Sequence, residues 1–153
     1  MIRIEEVRTF SANADAVFHF LADFRNLPLW DPGITKSRLV RGDAHSKGAH
    51  FAIESQFLGL RIPLSYTTRH YDDSAFEAVI EGEGNSLSAV DRIFITARPS
   101  GCQLLWQADF ELKCFRRLAE PMSRPLFRRL GEKAMSGLMR YAAKNPAFAP
   151  PFH

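Results

Sequence analysis

From about Ile34 to Cys114 the chain alternates apolar and polar residues in short runs broken by turn signals, and this period of two restricts the fold more than any other feature. Leu58-Gly59 separates "AHFAIESQF" from "LRIPLSYTTRHY", and Asp72-Asp73-Ser74 separates the latter from "AFEAVIEGE". Gly84-Asn85 leads into "SLSAVDRIFITAR", and Ser100-Gly101 turns that run into "CQLLWQADFELKC". An antiparallel meander follows.

Each turn sets a register, because a two-residue loop pairs the positions that flank it. Leu58-Gly59 predicts Phe57 opposite Leu60 and Phe51 opposite Tyr66. Gly84-Asn85 predicts Gly82 opposite Leu87 and Ala78 opposite Asp91. Ser100-Gly101 predicts Ile95 opposite Trp106 and Asp91 opposite Phe110. A three-residue loop at 72–74 predicts Tyr66 opposite Ile80 and Thr68 opposite Ala78. These registers gather Phe51, Ile53, Phe57, Leu60, Ile62, Leu64, Tyr66, Phe76, Ile80, Leu87, Ile93, Ile95, Trp106, Phe110 and Leu112 on one face. Ser55, Ala78, Gly82, Ala89 and Ala108 share it, and their small size suits either close helix packing or space for a ligand. The outer face should carry a ladder of alternating charge: Arg69, Glu77, Arg92, Asp109.

Asp91 breaks the pattern, since it falls among Ile93, Ile95, Trp106 and Phe110. An ionised carboxylate is costly to bury unpaired. Asp91 is therefore either a structural acid satisfied by backbone or water, or a polar contact inside a ligand cavity. Ser55, Tyr66, Thr68 and His70 are the other polar groups expected on this face.

Ahead of the meander, "IRIEEVRTF" reads as a strand. "SANADAVFHFLADF" reads as a helix capped by Asn13, with Val17, Phe18, Leu21 and Phe24 at helical spacing. "RNLPLWDPGI" breaks it with Pro28 and Pro32, leaving Trp30 as a lid or a packing residue. Behind the meander, Leu118, Met122, Leu126, Leu130, Ala134 and Leu138 recur every four residues in a long helix, which Pro121 and Pro125 should delay. One domain spanning 1–144 is expected, with 145–153 a proline-rich tail that frays.

Charge is uneven. Residues 1–112 hold 11 Lys/Arg against 15 Asp/Glu, and residues 113–153 hold 9 against 2. This basic segment reads first as the solvated side of an amphipathic helix, and contact with an anionic membrane surface is the alternative. No interleaved aromatic and basic stretch or zinc-finger spacing points to nucleic acid. Cys102 and Cys114 begin and end one strand, on the order of 40 Å apart at about 3.3 Å per residue, so two free thiols are expected. The histidines show no ligand spacing, and no metal or other cofactor is expected. The N-terminus is no signal peptide and no apolar run approaches a membrane span, which makes the cytoplasm the default location.

In order and spacing, "ADFRNLPLWDPGI", "FLGLRIPLSY", "IEGEGNSLSAVD" and "WQADFELKCFRRLAEPM" resemble the polyketide cyclase/dehydrase-like proteins of the START or pollen-allergen-like (SRPBCC) superfamily. The resemblance runs from about Ile4 to Tyr141. It implies an α+β helix-grip fold: a seven-stranded antiparallel sheet wrapped around a long C-terminal helix, with two short N-terminal helices. It also implies a hydrophobic cavity between sheet and helix. Members bind lipids, sterols, polyketides or plant hormones, and some catalyse cyclisation, aromatisation or dehydration. No catalytic signature of the enzymes can be matched here.

A small hydrophobic molecule is thus the expected partner, of lipid, polyketide or aromatic type. The expected contacts are Trp30, Phe51, Ile53, Tyr66, Ile80, Asp91, Ile93, Trp106 and Phe110, with Leu130, Ala134 and Leu138 from the helix. Two other functions fit the same residues. One is a cyclase or dehydratase using Asp91, the other a lipid shuttle that docks on membranes through residues 113–144.

Overall fold

A computed structural model describes residues 1–57, 59–113 and 116–148, the side chains of residues 116–122 excepted. In chain order the elements are β1 (Ile2–Phe10), α1 (Ala14–Ala22), a 3-10 turn (Phe24–Asn26), the single-turn α2 (Leu27–Trp30), β2 (Ile34–Arg41), β3 (His50–Phe57), β4 (Leu60–Asp72), β5 (Glu77–Glu83), β6 (Leu87–Arg98), β7 (Gly101–Leu112) and α3 (Arg116–Lys144). The strands form one antiparallel sheet in the order β1-β7-β6-β5-β4-β3-β2. Pairing of the first strand with the last leaves only β1 and β2 as edges.

Local chemistry accounts for the helices. The Asn13 side chain accepts the Ala16 amide at 2.8 Å and starts α1, which buries Val17, Phe18, Phe20 and Leu21. Asp23 caps the 3-10 turn and is held by Arg25 at 2.6 Å. Pro28 sits in the first turn of α2, where its missing amide costs nothing. Along α3, Arg124, Arg128, Arg129, Lys133 and Arg140 stay exposed, while Phe127, Ala134, Met135 and Leu138 are buried.

Two hairpin turns sit one residue away from their expected places. Glu83 pairs with Ser88, and the Gly84 amide donates to the Leu87 carbonyl at 2.9 Å, so the loop is Asn85-Ser86 rather than Gly84-Asn85. Arg98 pairs with Gly101, so the next loop is Pro99-Ser100 rather than Ser100-Gly101. A turn displaced by one residue moves every partner by two, which leaves each side chain on its own face. Asp91 therefore stays inward, but opposite Ile80 and Ala108 instead of Ala78 and Phe110. Tyr66 lies opposite Gly82, and Thr68 opposite Ile80. The β3–β4 pairing is as expected, with Phe57 opposite Leu60 and Phe51 opposite Tyr66.

A bulge between Thr68 and His70 reverses the facing of the strand end. His70 is consequently exposed, 3.7 Å from Glu77, and Tyr71 turns in against the Phe18 ring. The outer charges regroup too. Asp109 is clasped by Arg3, directly across on β1, and by Arg92 diagonally on β6, each at 2.7 Å. Arg69 reaches Glu81 at 3.0 Å instead of Glu77, and Glu77 stands opposite Phe94.

The C-terminal segment departs from its sequence reading at both ends. The helix begins at Arg116 and runs through both prolines; Leu118, Met122 and Cys114 fall where side chains lie outside the described residues. The tail does not fray through residue 148. Phe148 is buried, with its ring 5.3 Å from both Phe10 and Phe20 and 5.9 Å from Tyr141. Residues 149–153 lie outside the described residues.

Two glycines set how closely α3 grips its neighbours. A Cβ on Gly131 would come 2.8 Å from the Ile4 Cγ2, and one on Gly137 would come 1.9 Å from the Trp30 carbonyl oxygen. Gly137→Ala should therefore force α3 away from α2 and cost about 1–3 kcal/mol, read by urea unfolding, whereas Ser136→Ala on the exposed side changes little. Phe148→Ala should cost about 3 kcal/mol or more. Unchanged stability in that variant would return the tail to a frayed state.

Candidate functional site

The rows of residues that run across the sheet leave a hollow. One row reads Phe51, Tyr66, Gly82, Ala89, Phe110, Ile2, and its neighbour Thr68, Ile80, Asp91, Ala108, Ile4. Gly82 and Ala89 leave a dip between the large side chains. The Tyr66 ring lies across that dip: a Cβ on Gly82 would meet its Cζ at 2.6 Å. The phenol is thereby brought to Asp91, two positions along β6 from Ala89.

Beside the Tyr66 ring a cavity of about 110 Å³ is walled by the sheet, by α3, and by the segment from Leu21 to Ile34. About 10–15 Å³ holds one water by a similar measure, so there is room for a small organic molecule. Of the twelve residues expected to contact a ligand, Trp30, Tyr66, Asp91, Ile93, Trp106, Phe110, Leu130 and Ala134 line this cavity. Phe51, Ile53, Ile80 and Leu138 are off its wall and packed into the core. The reason is the N-terminal segment, which fills that end of the sheet. The Phe24 ring stands 5.9 Å from Phe51 and 5.2 Å from Tyr66, and takes the place on the wall that the sheet pattern had given to Phe51.

Within this apolar lining the polar groups converge. The Trp106 indole N–H donates to Asp91 Oδ1 at 2.9 Å. Burial raises the Asp91 pKa to about 7; the Trp106 bond and Arg92 pull it down, while the charges of Asp31 and Asp109 push it up. Tyr66 is pushed well above the usual phenol range, first by burial and then by Asp91 and Asp31. Asp31 follows α2 in the Asp-Pro-Gly turn, where Oδ1 accepts the Gly33 amide at 2.8 Å. Burial lifts its pKa to about 6 against the pull of that amide. The Trp30 indole N–H is buried and has no hydrogen-bond partner among the described residues. Ser55, also on the wall, donates to the Gly33 carbonyl at 3.2 Å. Thr68 is buried but does not reach the cavity.

Neither α2 nor the sheet pattern singles out Asp31 in the sequence. The available signal is its place in "LWDPGI", a carboxylate between an aromatic and a tight turn inside an apolar break. Among the described residues, no three His, Cys, Asp or Glu side chains are grouped as metal ligands would be.

A family model described as polyketide cyclase / dehydrase and lipid transport matches residues 1–145. The chain belongs to this family. No curated protein sequence matches it. Solved structures share the fold at low identity. A Thermus thermophilus protein aligns at TM-score 0.78 and 14% identity, covering 94% of this chain and 98% of its own. The Zhui aromatase/cyclase of a Streptomyces species aligns at 0.73 and 13%, covering 94% and 92%. A START superfamily protein of Mycobacterium smegmatis aligns at 0.72 and 15%, covering 94% and 96%. For this cyclase/dehydrase and lipid-transport family member, fold and family are consistent with hydrophobic ligand binding or with polyketide cyclase-type activity.

The two raised carboxyls carry a stability consequence whose direction is opposite to the usual acidic one. Each binds its proton more tightly folded than unfolded, so its contribution is complete near pH 4 and is lost as pH rises through about 6 for Asp31 and about 7 for Asp91. Over that window each group should lower stability by about 1.4 kcal/mol per pH unit. Thermal melting from pH 5 to 8 should show a falling midpoint in the wild type and a shallower fall in Asp91→Asn. Parallel curves would mean that Asp91 has an ordinary pKa.

Proposed function

We propose that this protein binds a small hydrophobic molecule in the cavity between sheet and α3. The observation that carries this reading is the cavity's composition: apolar walls, with one polar cluster of Asp91, Tyr66 and Trp106 converging on a single place. Apolar area supplies affinity in such sites, and a few fixed polar groups supply orientation. A protonated Asp91 can donate to a ligand carbonyl or hydroxyl, with Trp106 holding the other carboxyl oxygen in place.

A cyclase or dehydratase is the second reading, and it draws on the same residue. A carboxyl that titrates near 7 can hold and release a proton at neutral pH, as a general acid or base must. Asp91 would carry the proton and Tyr66 would orient the substrate oxygen.

Native mass spectrometry of protein purified from its source, looking for a retained small molecule, tests binding directly. A complementary test is titration with the neutral dye N-phenyl-1-naphthylamine. It should fluoresce on the wild type and not on Ala134→Phe, in which a ring occupies the cavity. Equal dye binding by a folded Ala134→Phe would place binding elsewhere and defeat the proposal. Turnover of an aromatic or polyketide substrate, abolished in Asp91→Asn with binding retained, would move the protein to the enzymatic reading.

A further inference from the structure

The cavity's charge has a sign, and resting on the binding reading above it narrows the class of ligand. The titratable groups on the wall are Asp31, Tyr66 and Asp91, each of which is neutral or negative in every protonation state. No Lys, Arg or His is among the described residues that line it. The nearest cation to Asp91 along the chain, Arg92, points to the other face and is held at 2.7 Å by Asp109. The donors on the wall are neutral: the Trp106 N–H is used by Asp91, the Tyr66 hydroxyl also interacts with Asp91, and the Trp30 N–H is unpartnered among the described residues.

From this juxtaposition of two carboxyls on an apolar wall without a cation, we infer that the cavity selects a ligand carrying an amine on a compact apolar body. It discriminates against a carboxylate of the same size. An ammonium group would supply the positive charge that the wall around Asp91 and Asp31 lacks. A carboxylate ligand would have to enter beside two like groups and could be tolerated only with both wall carboxyls protonated. Fatty acids and other anionic lipids are therefore disfavoured, although the walls would suit their chains.

Both tryptophans of the chain, Trp30 and Trp106, line the cavity, so intrinsic fluorescence reports on this site directly. The experiment titrates the full-length protein at pH 7.5 with 2-phenylethylamine, 2-phenylethanol and 3-phenylpropionate, which share a ring and differ in charge. The amine should bind on the order of tenfold more tightly than the alcohol, and the carboxylate more weakly than either. Asp91→Asn and Asp31→Asn should each reduce the ratio of amine to alcohol affinity.

The wild type alone gives an independent check, free of any effect of substitution on folding. The charged groups that face Asp91 are Asp31 and Tyr66 from the cavity side, with Arg92 and Asp109 behind the sheet. As pH falls below about 7, the amine's advantage over the alcohol should shrink by up to about tenfold per unit. A carboxylate that binds as tightly as the amine, or an amine advantage that survives in both variants and at pH 5.5, overturns the inference. If none of the three compounds perturbs the tryptophans, the inference also falls, and the neutral dye then decides separately whether binding falls with it.

Discussion

A single curved sheet can bury only one face, and the period of two along each strand forces all seven strands to keep the same parity. Everything else is arranged around that constraint. The pairing of β1 with β7 carries the buried face through to the first strand, so Ile2 and Ile4 meet Phe127 of α3. The α3 helix then lies in the curve, and Gly131 and Gly137 let it approach β1 and α2 more closely than any side chain would allow. The Tyr66 ring fills the dip at Gly82, and the cavity lies beyond it between the sheet, α3 and the segment from Leu21 to Ile34.

Parity also explains how much of the fold was legible in the sequence. Two turns were each displaced by one residue, which changed the partners across β5–β6 and β6–β7 but no facing there. Strands β4 and β5 close through 73–76 instead of a three-residue loop at 72–74, with a bulge between Thr68 and His70. Turn residues are weak locators when Gly, Asn, Ser and Pro stand side by side, since "GEGNS" and "RPSG" each admit more than one two-residue loop. Facing is strongly specified because a slip that inverted it would expose an entire apolar set. Asp91 was thus correctly assigned to the interior, with the wrong neighbours. His70 failed for the complementary reason: a bulge after Thr68 inserts one unpaired residue, and nothing in "YTTRHY" marks it.

The contents of the cavity wall were less legible, because they depend on long-range packing. An alternating pattern says which side chains point inward, not what meets them there. Phe51, Ile53 and Ile80 obey the pattern and yet touch core, since the segment from α1 through the 3-10 turn fills that end of the sheet. The same segment delivers Asp31 to the wall, from a turn that has no strand periodicity to betray its direction. Phe148 behaves likewise. Its segment is short, proline-flanked and irregular, and its burial comes only from a slot between Phe10, Phe20 and Tyr141.

Why the interior holds a carboxyl at Asp91, and not an amide, follows from what each can do. An amide there could accept from Trp106 and donate to a ligand, with no titration and no desolvation cost for a charge. The carboxyl provides the same pair of hydrogen bonds only while protonated. Near pH 7 it is balanced between that form and an anion supported by one indole N–H and opposed by Asp31. Tyr66 is kept neutral by the same surroundings. On the proposed binding reading, a neutral acceptor would fix the proton on Asp91 and a cationic donor would remove it, and either response requires a titratable group.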